Sequence, residues 1–136
     1  MASDRVMVFI DGPNLYKRTK SLIDEGKQIN IEKLANKLLG GRKLERIYYY
    51  NTYTPNEDPE VSKSQQRFLD RLGWIDRLQK RMSKAIPKEY TVKCPNPNCG
   101  TPFTFKTHIQ KGVDTRMAVD MVTFAVSDTY DTAILV

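Results

Sequence analysis

The spacing of apolar positions changes several times along the chain, and each change marks an element. Val6-Met7-Val8-Phe9-Ile10 is unbroken by polar residues, the pattern of a strand buried on both faces of a parallel sheet. It gives way to the turn residues Asp11-Gly12-Pro13-Asn14 and then to a helix over Leu15 to Glu25, closed by Gly26. Ile31 to Leu39 reads as a second helix, with Asn30 as its N-cap and Gly40-Gly41 as its stop. Arg46 to Tyr53, dense in Tyr and Ile, is the next strand, and Thr54 to Pro59 is a loop.

From Ser62 to Ile86, Phe68, Leu72, Ile75, Met82 and Ile86 recur at helical steps, which predicts one long amphipathic helix ended by Pro87. Tyr90 to Thr107 reads as two short strands around a Pro- and Asn-rich turn, a Cys-containing hairpin insertion within about 90–110. A last helix is capped by Asp114 and carries Met117, Met121, Phe124 and Ala125. Asp128 to Asp131 connects it to a final strand, Thr132 to Val136. Strands alternating with helices predict an α/β class with a mostly parallel central sheet.

A chain of 136 residues that is 40% hydrophobic fits a single domain spanning 1–136. Mean hydropathy is −0.54, and no apolar run reaches the 18–20 or so residues needed to cross a bilayer, so no membrane role is expected. Two cysteines and no secretory pattern suit a reducing, cytoplasmic location. A net charge of +6 favours an anionic partner. Most of the excess lies between residues 61 and 90, where eight cations, including Arg67, Arg71, Arg77, Lys80, Arg81 and Lys84, face three acids. With Trp74 and Tyr90 among them, this segment reads as a grip for an RNA backbone, or else as a solvated helix face with Trp74 packed inward. Tyr48-Tyr49-Tyr50 is read as strand core.

Three acids are candidates for chemistry. Asp11 stands at the carboxyl end of the first strand, where ligands bind in open parallel sheets, and Asn14 reaches the same crevice. Asp11 equally suits the N-cap of the following helix. In Lys111-Gly112-Val113-Asp114 the glycine permits close approach and Asp114 opens a helix. Asp120 lies six residues on, about 600° around the helix, so it cannot share a face with Asp114. Carboxylates gathered from separate elements repel unless a cation sits between them, and hard oxygen donors suit Mg²⁺ or Mn²⁺. Lys111 is placed to offset phosphate charge. With one histidine, a metal-free mechanism using two histidines within one chain is excluded.

Val8-Phe9-Ile10-Asp11-Gly12-Pro13-Asn14-Leu15, Lys111-Gly112-Val113-Asp114, Ala118-Val119-Asp120-Met121 and Tyr130-Asp131-Thr132-Ala133-Ile134-Leu135-Val136, in this order, resemble the NYN domain of the LabA-like group in the PIN-like nuclease superfamily. The resemblance spans essentially the whole chain. It implies a PIN-like three-layer α/β/α sandwich and an acidic Mg or Mn site that hydrolyses RNA. The family's first-strand aspartate matches Asp11, its neighbouring amide Asn14 and its helix-start aspartate Asp114, while Asp120 matches a further acid of the group. Relatives continue the final strand into Ser-Gly-Asp-x-Asp-Phe, with further metal-binding acids. The expectation is therefore a chain truncated at its C-terminus, with an incomplete acidic site and a sheet edge open to homo-oligomerisation.

Two readings of function follow. One is a metal-dependent endoribonuclease, with Asp11, Asn14 and Asp114 as the catalytic group. The other is a non-catalytic RNA- or protein-binding regulatory domain on the same fold. Separately, Cys94 and Cys99 resemble one knuckle of a zinc site with His108 as a third ligand, and on these two cysteines alone rests a further reading, a small zinc-stabilised interaction module. The alternatives are a turn with two free thiols, or metal bound between chains or completed by an acid.

Overall fold

A computed structural model describes residues 3–54, 57–109 and 111–136. The first strand, β1, is Arg5–Asp11, followed by helices α1 (Gly12–Asp24) and α2 (Ile31–Leu39). Strand β2 (Lys43–Tyr53), helix α3 (Pro59–Leu72) and strand β3 (Leu78–Lys84) come next. Strands β4 (Ile86–Lys93) and β5 (Pro102–Ile109), helix α4 (Val113–Val126) and strand β6 (Thr132–Leu135) complete the described elements.

Four strands form a wholly parallel sheet in the order β3-β2-β1-β6. β1 lies inside it, which is why its five apolar residues show no alternation. Val6, Val8 and Ile10 point to one face, where they pack with Ile31, Ala35 and Leu39 of α2 and Leu72 of α3. Met7 and Phe9 point to the other, against Val113 and Met117 of α4, with Phe124 stacked on Phe9 and Tyr48. The tyrosine run divides the same way: Tyr49 joins the first cluster, and Tyr48 and Tyr50 the second. The result is the expected α/β/α layering, with a small antiparallel hairpin, β4–β5, outside the sheet.

The long helix expected from Ser62 to Ile86 does not form. α3 stops at Leu72, Gly73 closes it, Arg77 adopts a left-handed backbone with φ of 62°, and β3 pairs with β2 from Leu78 onward. The reason lies in the spacing. Leu78, Met82 and Ile86 are four apart, a step that keeps residues on one side of a helix and equally on one side of a strand. Trp74, expected to pack inward, is 89% exposed in the turn after α3. The hairpin begins earlier than Tyr90: Pro87 lies within β4, opposite His108, and does not terminate a helix.

Candidate active site

The carboxyl end of β1 and the amino ends of α1 and α4 meet at a cleft of about 390 Å³. Asp11, Pro13, Asn14 and Lys17 form one wall, and Gly112, Val113, Asp114 and Thr115 the other. The fold thus brings together Asp11, Asn14 and Asp114, although 103 residues separate the two acids.

Asp11 fills both positions open to it. It is the N-cap of α1, its Oδ1 accepting from the Asn14 backbone N–H at 3.1 Å, while Oδ2 accepts no hydrogen bond from a described residue. Its backbone N–H donates to the Val136 carbonyl at 2.9 Å, which fixes it from the β6 side. On the other side Gly12 is buried against β2. A Cβ there would come within 2.6 Å of Tyr49 Oη and of the Tyr50 carbonyl oxygen, so only glycine allows this approach. Tyr49 adjoins the acid as well: burial, and secondarily the Asp11 charge, push its hydroxyl pKa up, while the Asn51 amide donates to it at 3.0 Å.

Asp114 does not cap α4. Gly112, with φ of 88°, holds the cap position and offers no side chain, because burial of Val113 against the sheet starts the helix at that residue. Asp114 sits in the exposed first turn without a hydrogen bond or ion pair to a described residue. The first N–H groups of a helix lack intrahelical acceptors and carry the positive end of its dipole, so two such ends at one cleft favour an anion.

Asp120 is absent from the cleft walls. It accepts a 2.7 Å hydrogen bond from the Tyr50 hydroxyl on the α4 side of the sheet, and its side chain is only 17% exposed. Arg81 Nε lies 3.7 Å from the same oxygen, a long ion pair and not a hydrogen bond, while its guanidinium lies over the Tyr48 ring. Burial first, then the Asp120 contact, raises the Tyr50 pKa.

The basic segment does not present a single helical face. Arg71 donates to Gln28, Lys80 to the Leu69 carbonyl and Arg77 to the Leu44 carbonyl. Arg77 also lines a separate hollow of about 290 Å³ at the amino end of the sheet, with Glu32, Lys43 and Asp76. Arg67 lies on α3, while Lys84, paired with Tyr53, lies beyond the level of Asp11 at the carboxyl end. Lys111 precedes the Gly112 rim, but the cation in the wall itself is Lys17. Sequence reasoning missed Lys17. Its three-residue spacing from Asn14, which places both on one side of α1, was the available signal.

Cys94 and Cys99 are free thiols at the hairpin turn. The Cys99 thiol pKa is lowered, first by hydrogen bonds from Thr101 and then by the Cys94 side chain. His108 cannot join them. It pairs with Pro87 near the hairpin base, six residues from Pro102, a span of about 20 Å at strand rise. Among the described residues no three His, Cys, Asp or Glu side chains cluster as a metal site, so the cleft contributes a pair of carboxylates and an amide. No helix of the described chain is long and apolar enough to cross a membrane.

Comparison with curated proteins and with solved structures gives no match. The family model of the NYN domain, however, matches residues 5–136. Together with the parallel sheet and its helical layers, that match places this chain in the NYN domain family, with a PIN-like, nuclease-type fold.

Proposed function

We propose that this chain is a cytoplasmic, divalent-metal-dependent endoribonuclease domain of the LabA-like group, acting at the cleft between α1 and α4. The convergence of Asp11, Asn14 and Asp114 on that cleft carries the reading. The donor set suits Mg²⁺ or Mn²⁺: all oxygen, few protein ligands, and one Asp11 oxygen left over after helix capping. Asp11 and Asp114 would hold the ion, which supplies Lewis-acid stabilisation of phosphate charge and acidifies water.

The remaining work falls to the chain itself. Backbone N–H groups of Val113, Asp114 and Thr115 at the start of α4 cradle a phosphate, Lys17 and Lys111 offset its charge, and the Asn14 amide orients the attacking water or a phosphate oxygen. In-line attack of water on phosphorus with departure of the 3′-oxygen leaves 5′-phosphate ends. Asp120, tied to Tyr50, acts as a support for α4 and not as a ligand. Lys84, at the carboxyl end of β3, is best placed of the segment's cations to extend RNA contact toward the cleft.

The test uses single-stranded and structured RNA with Mn²⁺, Mg²⁺ or EDTA, comparing the parent with Asp11→Asn and Asp114→Asn. Cleavage that needs the ion and fails in both variants supports the proposal. Cleavage that persists in EDTA or survives both substitutions overturns it. Salt-sensitive RNA binding without cleavage, unaffected by Asp11→Asn, identifies the regulatory domain instead.

A further inference from the structure

Among the described residues, the β4–β5 hairpin pairs with itself and packs extensively against no other element. A two-stranded hairpin is marginal in water, and one with an uncovered apolar side is more so. The register gives this hairpin such a side. Tyr90 lies opposite Phe105, Val92 opposite Phe103 and Ile86 opposite Ile109, with the Lys88–Thr107 pair between them and the Lys88 ammonium over the Tyr90 ring, while Glu89, Thr91, Lys106 and His108 take the reverse face. Phe103 is 64% exposed, Val92 51% and Phe105 40%.

The same side leads to the thiols. The Cys94 N–H donates to the Thr101 carbonyl, extending the ladder by one pair, so Cys94 continues the alternation of Tyr90 and Val92. The turn returns through Asn96 and Gly100, the latter with φ of 58°, and brings the Cys99 sulfur within hydrogen-bonding reach of Cys94. Two thiols with four residues between them, on a tight turn, are half of a tetrahedral thiolate site. With His108 at the far end and no third His, Cys, Asp or Glu grouped with them among the described residues, the other half must come from elsewhere.

We propose that the hairpin is a zinc-dependent dimerisation element: Cys94 and Cys99 of two copies enclose one Zn²⁺ while their apolar hairpin faces pack together. A two-fold axis along the hairpin satisfies both demands, since it lays the faces against each other with the turns side by side. It completes a four-thiolate shell and covers the Tyr90, Val92, Phe103 and Phe105 surface in one step. The proposal does not depend on nuclease activity.

The experiment uses the whole chain, kept reduced, with EDTA or with ZnCl₂, following mass by light scattering and zinc by elemental analysis. Zinc should double the mass at one ion per two chains, and Co²⁺ in its place should show the absorption of a tetrahedral thiolate complex. Cys99→Ser should remain monomeric in zinc, and Phe103→Ser should weaken dimerisation about tenfold or more. His108→Ala should behave as the parent. One zinc per chain without a change of mass, no zinc retention, or a dimer that persists in EDTA would each overturn the proposal. So would a Phe103→Ser variant that loses RNA binding yet dimerises normally, which would make the apolar face a base-stacking surface.

Discussion

Replacing Gly12 with alanine should destabilise the fold and displace Asp11 together. Gly12 opens α1 outside the left-handed region, so alanine is conformationally acceptable and by propensity alone would gain about 0.5–1 kcal/mol. Sterics run the other way. The new Cβ would meet Tyr49 Oη and the Tyr50 carbonyl at 2.6 Å and Asn51 Nδ2 at 2.8 Å, where ordinary contacts begin at 3.4 Å. The tyrosine hydroxyl can swing aside, but the Tyr50 carbonyl belongs to an interior strand and moves only with the sheet. Overpacking of this kind costs about 1–3 kcal/mol, so the net loss should be about 1–2 kcal/mol, or roughly 3–8 °C in Tm for a domain of this size. Asp11 is register-paired with Tyr50, and the adjustment therefore reaches the carboxylate. Thermal melting and Mn²⁺ titration should both register the change. Gly26→Ala serves as comparison, because it meets open space at a φ of +78° and should lower stability without altering Mn²⁺ affinity. A Gly12→Ala protein that melts at or above the parent with unchanged Mn²⁺ affinity would refute the reasoning.

Three further outcomes follow from the same geometry. Tyr50→Phe removes the hydroxyl donated to the partly buried Asp120 and should cost about 1–3 kcal/mol in urea denaturation, with Mn²⁺ affinity unchanged; a loss of Mn²⁺ binding would return Asp120 to the metal site. Arg5 holds the Asp131 pKa down, from 3.8 to about 2. Since the folded value lies below the unfolded one, this pair's stabilisation is complete above about pH 4 and fades toward pH 2; the stability difference between parent and Asp131→Asn should shrink over that window, and a constant difference would exclude the linkage. Lys17→Gln should weaken RNA binding and flatten its salt dependence, whereas Trp74→Ala, at the turn after α3 and away from the cleft, should leave both unchanged in filter binding.

Much of this architecture was legible because burial writes itself into spacing. The unbroken Val6 to Ile10 run announced an interior parallel strand, and the Asn30 cap and Gly40 stop bounded α2 correctly, Asn30 accepting from the Lys33 N–H. The segment after Leu72 was not legible, because four-residue steps satisfy helix and strand alike and only pairing with β2 chooses between them. The same ambiguity concealed how its cations scatter: Lys80 and Arg81 are neighbours in sequence, but the strand turns one toward α3 and the other toward Asp120 and α4. At the cleft, Asp11 and Asn14 could be placed from the end of β1 alone. The partnership of Asp120 with Tyr50 could not, since it depends on how α4 lies across the sheet. Gly112 as the N-cap of α4 was visible only as a residue of close approach, because its left-handed backbone is a property of the folded turn.

The position of β1 between β2 and β6 also governs when the cleft comes into being. Asp11 is anchored on one side by Gly12 against β2 and on the other by its N–H bond to Val136, and its companion acid arrives on α4. These contacts join distant parts of the chain, and pairings of large sequence separation are slow to form because loop closure must precede them. Metal capture at the proposed site would therefore be tied to the closing stage of folding. During refolding from urea, Mn²⁺ binding should lag behind the helical signal and coincide with the docking of β6, making the ion a reporter of the completed sheet.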